Sequence, residues 1–108
     1  MQNKKYLSLL GLARRAGKLS LGHDAAYDSL RKRKAKLIIF SSDISKNVIR
    51  DFEKTPSCVI AVRVDETMDE IGSALGHKAG VLSVNDDGFA NRITELIRQE
   101  DNVYGDKN

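Results

Sequence analysis

Apolar positions along the chain alternate between two spacings, and each change of spacing marks a new element. Tyr6, Leu9, Leu10, Ala13 and Ala16 recur at helical intervals, with Leu7 and Leu12 widening the stripe, which predicts a helix over residues 3–16. Gly17 suits its end, and Arg14, Arg15 and Lys18 suit the negative pole of its dipole. Gly11 costs that helix about 1 kcal/mol relative to alanine. Leu19-Ser20-Leu21 reads as a short strand, and a second helix follows from Gly22 to Lys32 with Ala25 or Ala26, Tyr27 and Leu30 facing inward. Residues 36–41, Lys36-Leu-Ile-Ile-Phe-Ser, form a β-rich apolar run of the kind found in a strand covered on both faces. Ser41-Ser42-Asp43 is a polar break suited to capping a third helix, which carries Ile44, Val48, Ile49 and Phe52 and ends before Pro56. Cys58 to Val64 reads as the third long strand.

Thr67 followed by Glu70 has capping-box spacing and opens a short fourth helix with Met68, Ile71 and Leu75, closed by Gly76. His77 to Gly80 is a loop, Val81 to Val84 the last strand, and Asn85-Asp86-Asp87 the cap of a fifth helix with Phe89, Ala90, Ile93, Leu96 and Ile97 inward. Helices alternating with apolar strands predict an α/β chain, a three-layer α/β/α sandwich with a mixed sheet of about four strands and about five helices. One domain over residues 1–100 is expected, with a polar, loose tail at 101–108 and no internal repeat or linker.

Composition adds to this picture mainly through charge. At 108 residues with 41% hydrophobic and 31% charged side chains, the chain is expected to be globular. Tryptophan is absent and aromatics are few, which argues against a stacking-platform binder. The single cysteine, Cys58, cannot form an internal disulfide, and within SCVIAV it reads as a small buried hydrophobe in a reducing, cytoplasmic setting. No run reaches membrane-spanning length, and the N-terminus makes a poor secretory signal. The net charge of +3 conceals a division: residues 1–36 carry ten Lys/Arg against two acids, +8, and the remainder is −5. Such one-sided charge draws polyanions, although a basic run at a helix end also reads simply as a solvated face.

Residues 16–36, AGKLSLGHDAAYDSLRKRKAK, hold most of that charge. Gly22 opens the second helix, where free N–H groups and the positive dipole end suit phosphate. Lys18 and Lys36 are expected to flank that start as the leading phosphate contacts, while Arg31, Lys32, Arg33 and Lys34 at the far end either reach a neighbouring backbone or stay solvated. Catalytic chemistry finds no footing. His23 and Asp24 are adjacent and so do not face each other on a helix. Cys58 has no assigned base, and His23 and His77 are the only histidines, too few for a structural zinc site with one cysteine. Gly72, Gly76 and Gly80 lack the lysine-serine ending of a nucleotide loop, and Asp86-Asp87 reads better as a cap than as a cation site. No enzyme activity, cofactor or metal is expected.

LARRAGKLSLG, AKLIIFSSDIS and EIGSALGHKAGVLSV occur in that order. Together they resemble the kink-turn RNA-binding superfamily of ribosomal proteins, the archaeal L-seven-Ae type, over about residues 5–98. The resemblance implies an α/β/α sandwich without enzymatic activity. It also implies RNA held by the glycine-led start of the second helix and by the loop before the last strand. Gly22, Lys18 and the unit Ala35-Lys36-Leu37 match the family pattern. His23, Asp24 and Ala25 stand where RNA-reading members have Thr-Asn-Glu, and Asp28 stands where they have lysine. The expected contacts are Lys18, Gly22, His23, Asp24, Arg31, Lys32, Arg33, Lys36, His77 and Lys78. The expected partner is structured RNA, ribosomal RNA above all, with ribosome association, and not DNA or membrane; the expected state is a cytoplasmic monomer. A protein–protein adaptor on the same scaffold is the alternative, favoured by Asp24, Ala25 and Asp28.

Overall fold

A computed structural model describes the chain over residues 4–105, with side chains through residue 99. Five helices surround a four-stranded sheet: α1 (Lys5–Arg15), β1 (Leu19–Leu21), α2 (His23–Arg31), β2 (Leu37–Phe40), α3 (Lys46–Glu53), β3 (Ile60–Arg63), α4 (Met68–Leu75), β4 (Val81–Val84) and α5 (Asp87–Gly105). The strand order is β1-β4-β2-β3. β4 runs antiparallel to both β1 and β2, and β2 runs parallel to β3, so the sheet is mixed.

The central strands β2 and β4 are buried along their whole length, which is why their sequences are apolar on both faces apart from Ser83. Alternation sends Leu37, Ile39, Leu82 and Val84 to one face, against Tyr6, Leu7 and Leu10 of α1, Ile71 and Leu75 of α4 and Ile93, Leu96 and Ile97 of α5. Ile38, Phe40 and Val81 go to the other face, against Ala26 and Leu30 of α2 and Phe52 of α3. These are the outer layers of an α/β/α sandwich. Each fully buried leucine or isoleucine contributes roughly 1.5–3 kcal/mol by leaving water. Buried Tyr6 directs its hydroxyl to the Glu66 carboxylate, tying α1 to the turn before α4.

Caps follow local chemistry. Thr67 and Glu70 close a reciprocal capping box on α4, and Gly76 ends that helix at φ +80°. Asp86 accepts from the Phe89 amide at 2.9 Å and starts α5. Ser41-Ser42-Asp43 does not cap α3, because the N-cap is Ser45, which accepts from Val48 at 3.3 Å. Asp43 turns across the molecule instead and accepts from the Met68 amide, the first of α4, at 3.0 Å. The Ser41 hydroxyl, with that amide behind it, holds the Asp43 carboxyl below its ordinary value.

Other expectations shift. α1 begins at Lys5 and ends at Arg15, and Leu12 is 49% exposed because the stripe is narrower than seven apolar residues suggest. Ala26, not Ala25, faces inward on α2. The third strand begins only at Ile60; it is an edge strand, exposed at three of its four residues. Cys58 is therefore exposed rather than buried, since it lies in the loop ahead of that edge. α5 extends to Gly105, so residues 101–105 are helical in backbone; 106–108 lie outside the described residues. No helix among the described residues is long and apolar enough to cross a membrane.

Candidate nucleic-acid interface

Strand directions decide where the charged residues go. β1 and β2 both run antiparallel to β4, so they run parallel to each other and begin at the same end of the sheet. Lys18 precedes β1 and Lys36 precedes β2. The Asn85 amide donates to the Lys18 carbonyl at 2.8 Å, and the Lys36 amide donates to the Val84 carbonyl at 2.7 Å. The end of β4 is thus pinned between the two lysines, whose strands lie about 10 Å apart. α2 returns its C-terminus to this end and brings Arg31, Lys32, Arg33 and Lys34 with it. Arg33 takes φ +63°, which turns the chain sharply out of the helix.

A groove of about 490 Å³ lies here, with Lys18, Lys34 and Lys36 on its walls and Asp28 on the α2 side. Its floor is polar. Ser20 and Ser29 share a hydroxyl hydrogen bond of 2.9 Å, Asn85 Nδ2 donates to Ser20 at 2.9 Å, and Ser83 donates to Asn85 Oδ1 at 2.8 Å. Ser83 and Ser29 are buried, so this chain of side chains fixes the floor rather than decorating it. Lys32 of the basic run is held by an acid, Asp28 at 3.1 Å, one turn back on α2. Among the described residues Lys18, Arg31, Arg33, Lys34 and Lys36 make no ion pair.

Gly22 occupies the other end. Its φ of +101° with ψ 162° is open to glycine only, and its amide donates to the Val81 carbonyl at 2.8 Å, which seats the α4–β4 loop beside the start of α2. The expected flanking of Gly22 by Lys18 and Lys36 therefore does not occur: four residues of nearly extended chain set Lys18 about 13 Å from Gly22. What surrounds Gly22 is mixed in sign. His23 Nδ1 lies 3.2 Å from Asp24 and its Nε2 3.7 Å from Asp51. Its ring meets Phe52 edge-on at 5.4 Å and stacks on Tyr27 at 6.1 Å. Lys78 pairs with Asp69 at 3.0 Å, and His77 is exposed in the same loop.

The ten residues expected at one site thus form two groups. Gly22, His23, Asp24, His77 and Lys78 sit at one end of the sheet; Lys18, Arg31, Lys32, Arg33 and Lys36 sit at the other. Ser20, Ser29 and Asn85 were not among them, although a serine within an apolar strand and another on the apolar face of a helix signal an inward polar network. Among the described residues no group of three or more His, Cys, Asp or Glu side chains could hold a metal ion.

A mixed sheet between two helical layers, with a glycine-led helix at one end and a cationic groove at the other, is the architecture of a ribosomal-protein-like domain. Residues 4–94 match the model of the ribosomal protein L7Ae/L30e/S12e/Gadd45 family, and the chain belongs to that family. It is similar to the RNA-binding protein YlxQ of Bacillus subtilis, 31% identical over 99 residues that cover 90% of this chain and 99% of that protein. It is also similar to the YlxQ of Enterococcus faecium, 34% identical over 96 residues that cover 87% and 92%. A solved structure described as a protein with unknown function from Bacillus halodurans C superposes with a TM-score of 0.80 at 34% identity, covering 89% of this chain and 99% of that one. The Giardia lamblia 15.5kD RNA binding protein shares the fold, with a TM-score of 0.62 at 18% identity over 92% and 90% of the two chains.

Proposed function

We propose that this protein is a non-enzymatic, YlxQ-like RNA-binding protein that holds structured RNA, of kink-turn or ribosomal kind, along α2. The relatives described as RNA-binding cover nearly the full chain and support the class. The observation that carries the mode of binding is the convergence of Lys18, Lys34 and Lys36 on one groove with no acid paired to them among the described residues. Three unpaired ammonium groups take three phosphates and release their counterions, and the Ser20–Ser29–Asn85 floor keeps them in place. The RNA then passes along α2 towards Gly22, where a bent backbone approaches the first-turn amides without a Cβ in the way.

The corner supplies shape and the groove supplies charge. Asp24 and Asp28 stand on the α2 side between them, so affinity comes chiefly from the groove end. The protein acts in this reading as a cytoplasmic monomer. The test is calorimetric or gel-shift titration with a kink-turn RNA and a straight duplex of equal length, over a salt series. Binding of the kink-turn that weakens with salt, and its loss in Lys18→Glu/Lys36→Glu with the circular dichroism unchanged, is the expected result. Salt-independent binding, or full binding by the double variant, overturns it. Asp24, Ala25 and Asp28 favour one other reading, an adaptor that holds a protein; partners retained from nuclease-treated lysate, together with no affinity for either RNA, select it.

A further inference from the structure

Lys36 stands on the rim of two grooves. The second, of about 930 Å³, lies between the end of α2 and the loop leading to β3. Its rim carries Arg31 and Arg33 as well as Lys36, none of them in an ion pair among the described residues, while Leu30, Ala35, Pro56 and Val59 line it with apolar surface. From its floor a recess of about 150 Å³ opens between α3 and the sheet, walled by Ile38, Phe40, Phe52 and Ala61. The two share Leu30, Thr55, Ser57 and Val59, so they form one depression with an apolar bottom and a cationic lip. Two carboxylates also face it, Asp87 on the outer groove and Glu53 on the recess.

Cations at the mouth and a largely apolar recess behind them, edged by Glu53, Thr55 and Ser57, suit a ligand that is anionic at one end and carries an aromatic ring with polar edges at the other. We infer that this depression seats an unpaired nucleotide that continues the RNA strand held in the neighbouring groove, a reading that rests on the RNA-binding function proposed above. The phosphate lies on Arg31, Arg33 and Lys36. The base enters the recess against Leu30 and Phe52, leaving water for apolar surface. The Asp87 carboxylate, an acceptor only, takes a base N–H or the ribose 2′-hydroxyl rather than a phosphate. Lys36 serves both grooves, so a strand crossing from one to the other meets no uncharged gap.

Cys58 is the only cysteine of the chain, and it lies exposed on the wall of this groove, which makes it a reporter. The experiment compares a blunt-ended kink-turn RNA duplex with the same duplex carrying a single-stranded adenosine tail. Each is titrated against the intact protein, and the rate of Cys58 alkylation by iodoacetamide is measured at saturation. The tailed RNA is expected to bind about tenfold more tightly, the gain of seating one base, and to slow alkylation severalfold, with the blunt duplex leaving the thiol reactive. Arg31→Gln/Arg33→Asn is expected to bring the tailed RNA down to the affinity of the blunt one; asparagine tolerates the positive φ of residue 33. Equal affinity of the two RNAs with Cys58 equally reactive overturns the nucleotide seat and leaves the RNA-binding function standing. Binding by neither RNA overturns both. Protection of Cys58 by an acidic peptide and not by tailed RNA assigns the depression to a protein segment and also overturns the inference.

Discussion

Lys32 and Lys36 belong to one basic run, and composition gives no reason to tell them apart. Their surroundings do. Lys36 stands on the groove wall without an acidic partner among the described residues, whereas Lys32 is held by Asp28 at 3.1 Å. A phosphate approaching Lys36 releases its counterions and gains the full attraction. One approaching Lys32 meets a site already neutralised, with a carboxylate beside it. Lys36→Gln is therefore expected to lower the slope of log affinity against log salt by about 0.7–0.9, the contribution of one phosphate contact. Lys32→Gln is expected to change it by only a small fraction of that. The wild-type slope from Lys18, Lys34 and Lys36 together is expected to be about −2 to −3, which would amount to a roughly 20- to 40-fold loss of affinity for a fourfold rise in salt. Asp28→Asn should act in the opposite sense. It removes a carboxylate whose repulsion of a phosphate at contact distance is about 1 kcal/mol in water, so RNA should bind about fivefold more tightly. Fluorescence anisotropy with a labelled kink-turn RNA, at a minimum of four salt concentrations per variant, on the order of a half-decade apart, reads all three changes. If Lys32→Gln and Lys36→Gln lower the slope equally, the groove is not what selects the contacts, and the reasoning from ion pairing fails.

Two further tests concern the scaffold. An added Cβ meets nothing within 4 Å at either Gly11 or Gly22, yet the two glycines should respond with opposite sign. Gly11→Ala, inside α1, should stabilise by roughly 0.5–1 kcal/mol, and Gly22→Ala, held at φ +101°, should destabilise by roughly 1–3 kcal/mol. Thermal unfolding should move by roughly 4 °C per kcal/mol, and a shift of the same sign in both would show that backbone strain at Gly22 is negligible. The Asp43 carboxyl is held below its ordinary 3.8, first by the Ser41 hydroxyl and then by the Met68 amide. The unfolded chain therefore takes up this proton before the folded one does. The stability that Asp43 adds is present above pH 3.8 and is lost as pH falls through its folded value. Asp43→Asn should flatten that part of the acid denaturation profile in urea titrations, and an unchanged profile would remove Asp43 from the account.

The layers were legible because burial on both faces leaves a simple mark: Leu37–Phe40 and Val81–Val84 are nearly uninterrupted apolar runs, and both are central strands. The Thr67–Glu70 box was legible because it is wholly local. Cys58-Val59-Ile60-Ala61-Val62 looks equally central in sequence, yet it leads into an edge strand, since β-branched residues report strand preference and not what covers the strand. Asp43 misled for a related reason: its capping partner, Met68, is 25 residues away. How the candidate residues group in space was misread through chain distance. Lys18 stands four positions from Gly22, close in a helix but far apart in a strand, whereas Lys18 and Lys36 meet only because β1 and β2 share β4 as an antiparallel neighbour.

The charge pattern of α2 explains why the cations gather where they do. Asp24 lies in its first turn and Arg31 in its last, the arrangement that favours the helix by opposing its dipole at both ends. A lysine at the position of Asp28, with a neutral side chain at Asp24, would draw phosphate to the start of α2, but would give up part of that stabilisation, typically 0.3–1 kcal/mol per end. Here both demands are met at once, because the negative end of α2 is also the end at which β1 and β2 begin. Cations placed there favour the helix and, with Lys18 and Lys36 alongside, build a polyanion site without setting like charges against the positive pole. In the proposed mode of binding, the Gly22 corner is thereby relieved of attracting phosphate and left to recognise shape. On this chain, then, discrimination of bent from straight RNA should depend on Gly22, and salt sensitivity on the groove; a variant that altered both together would show that the two ends do not work independently.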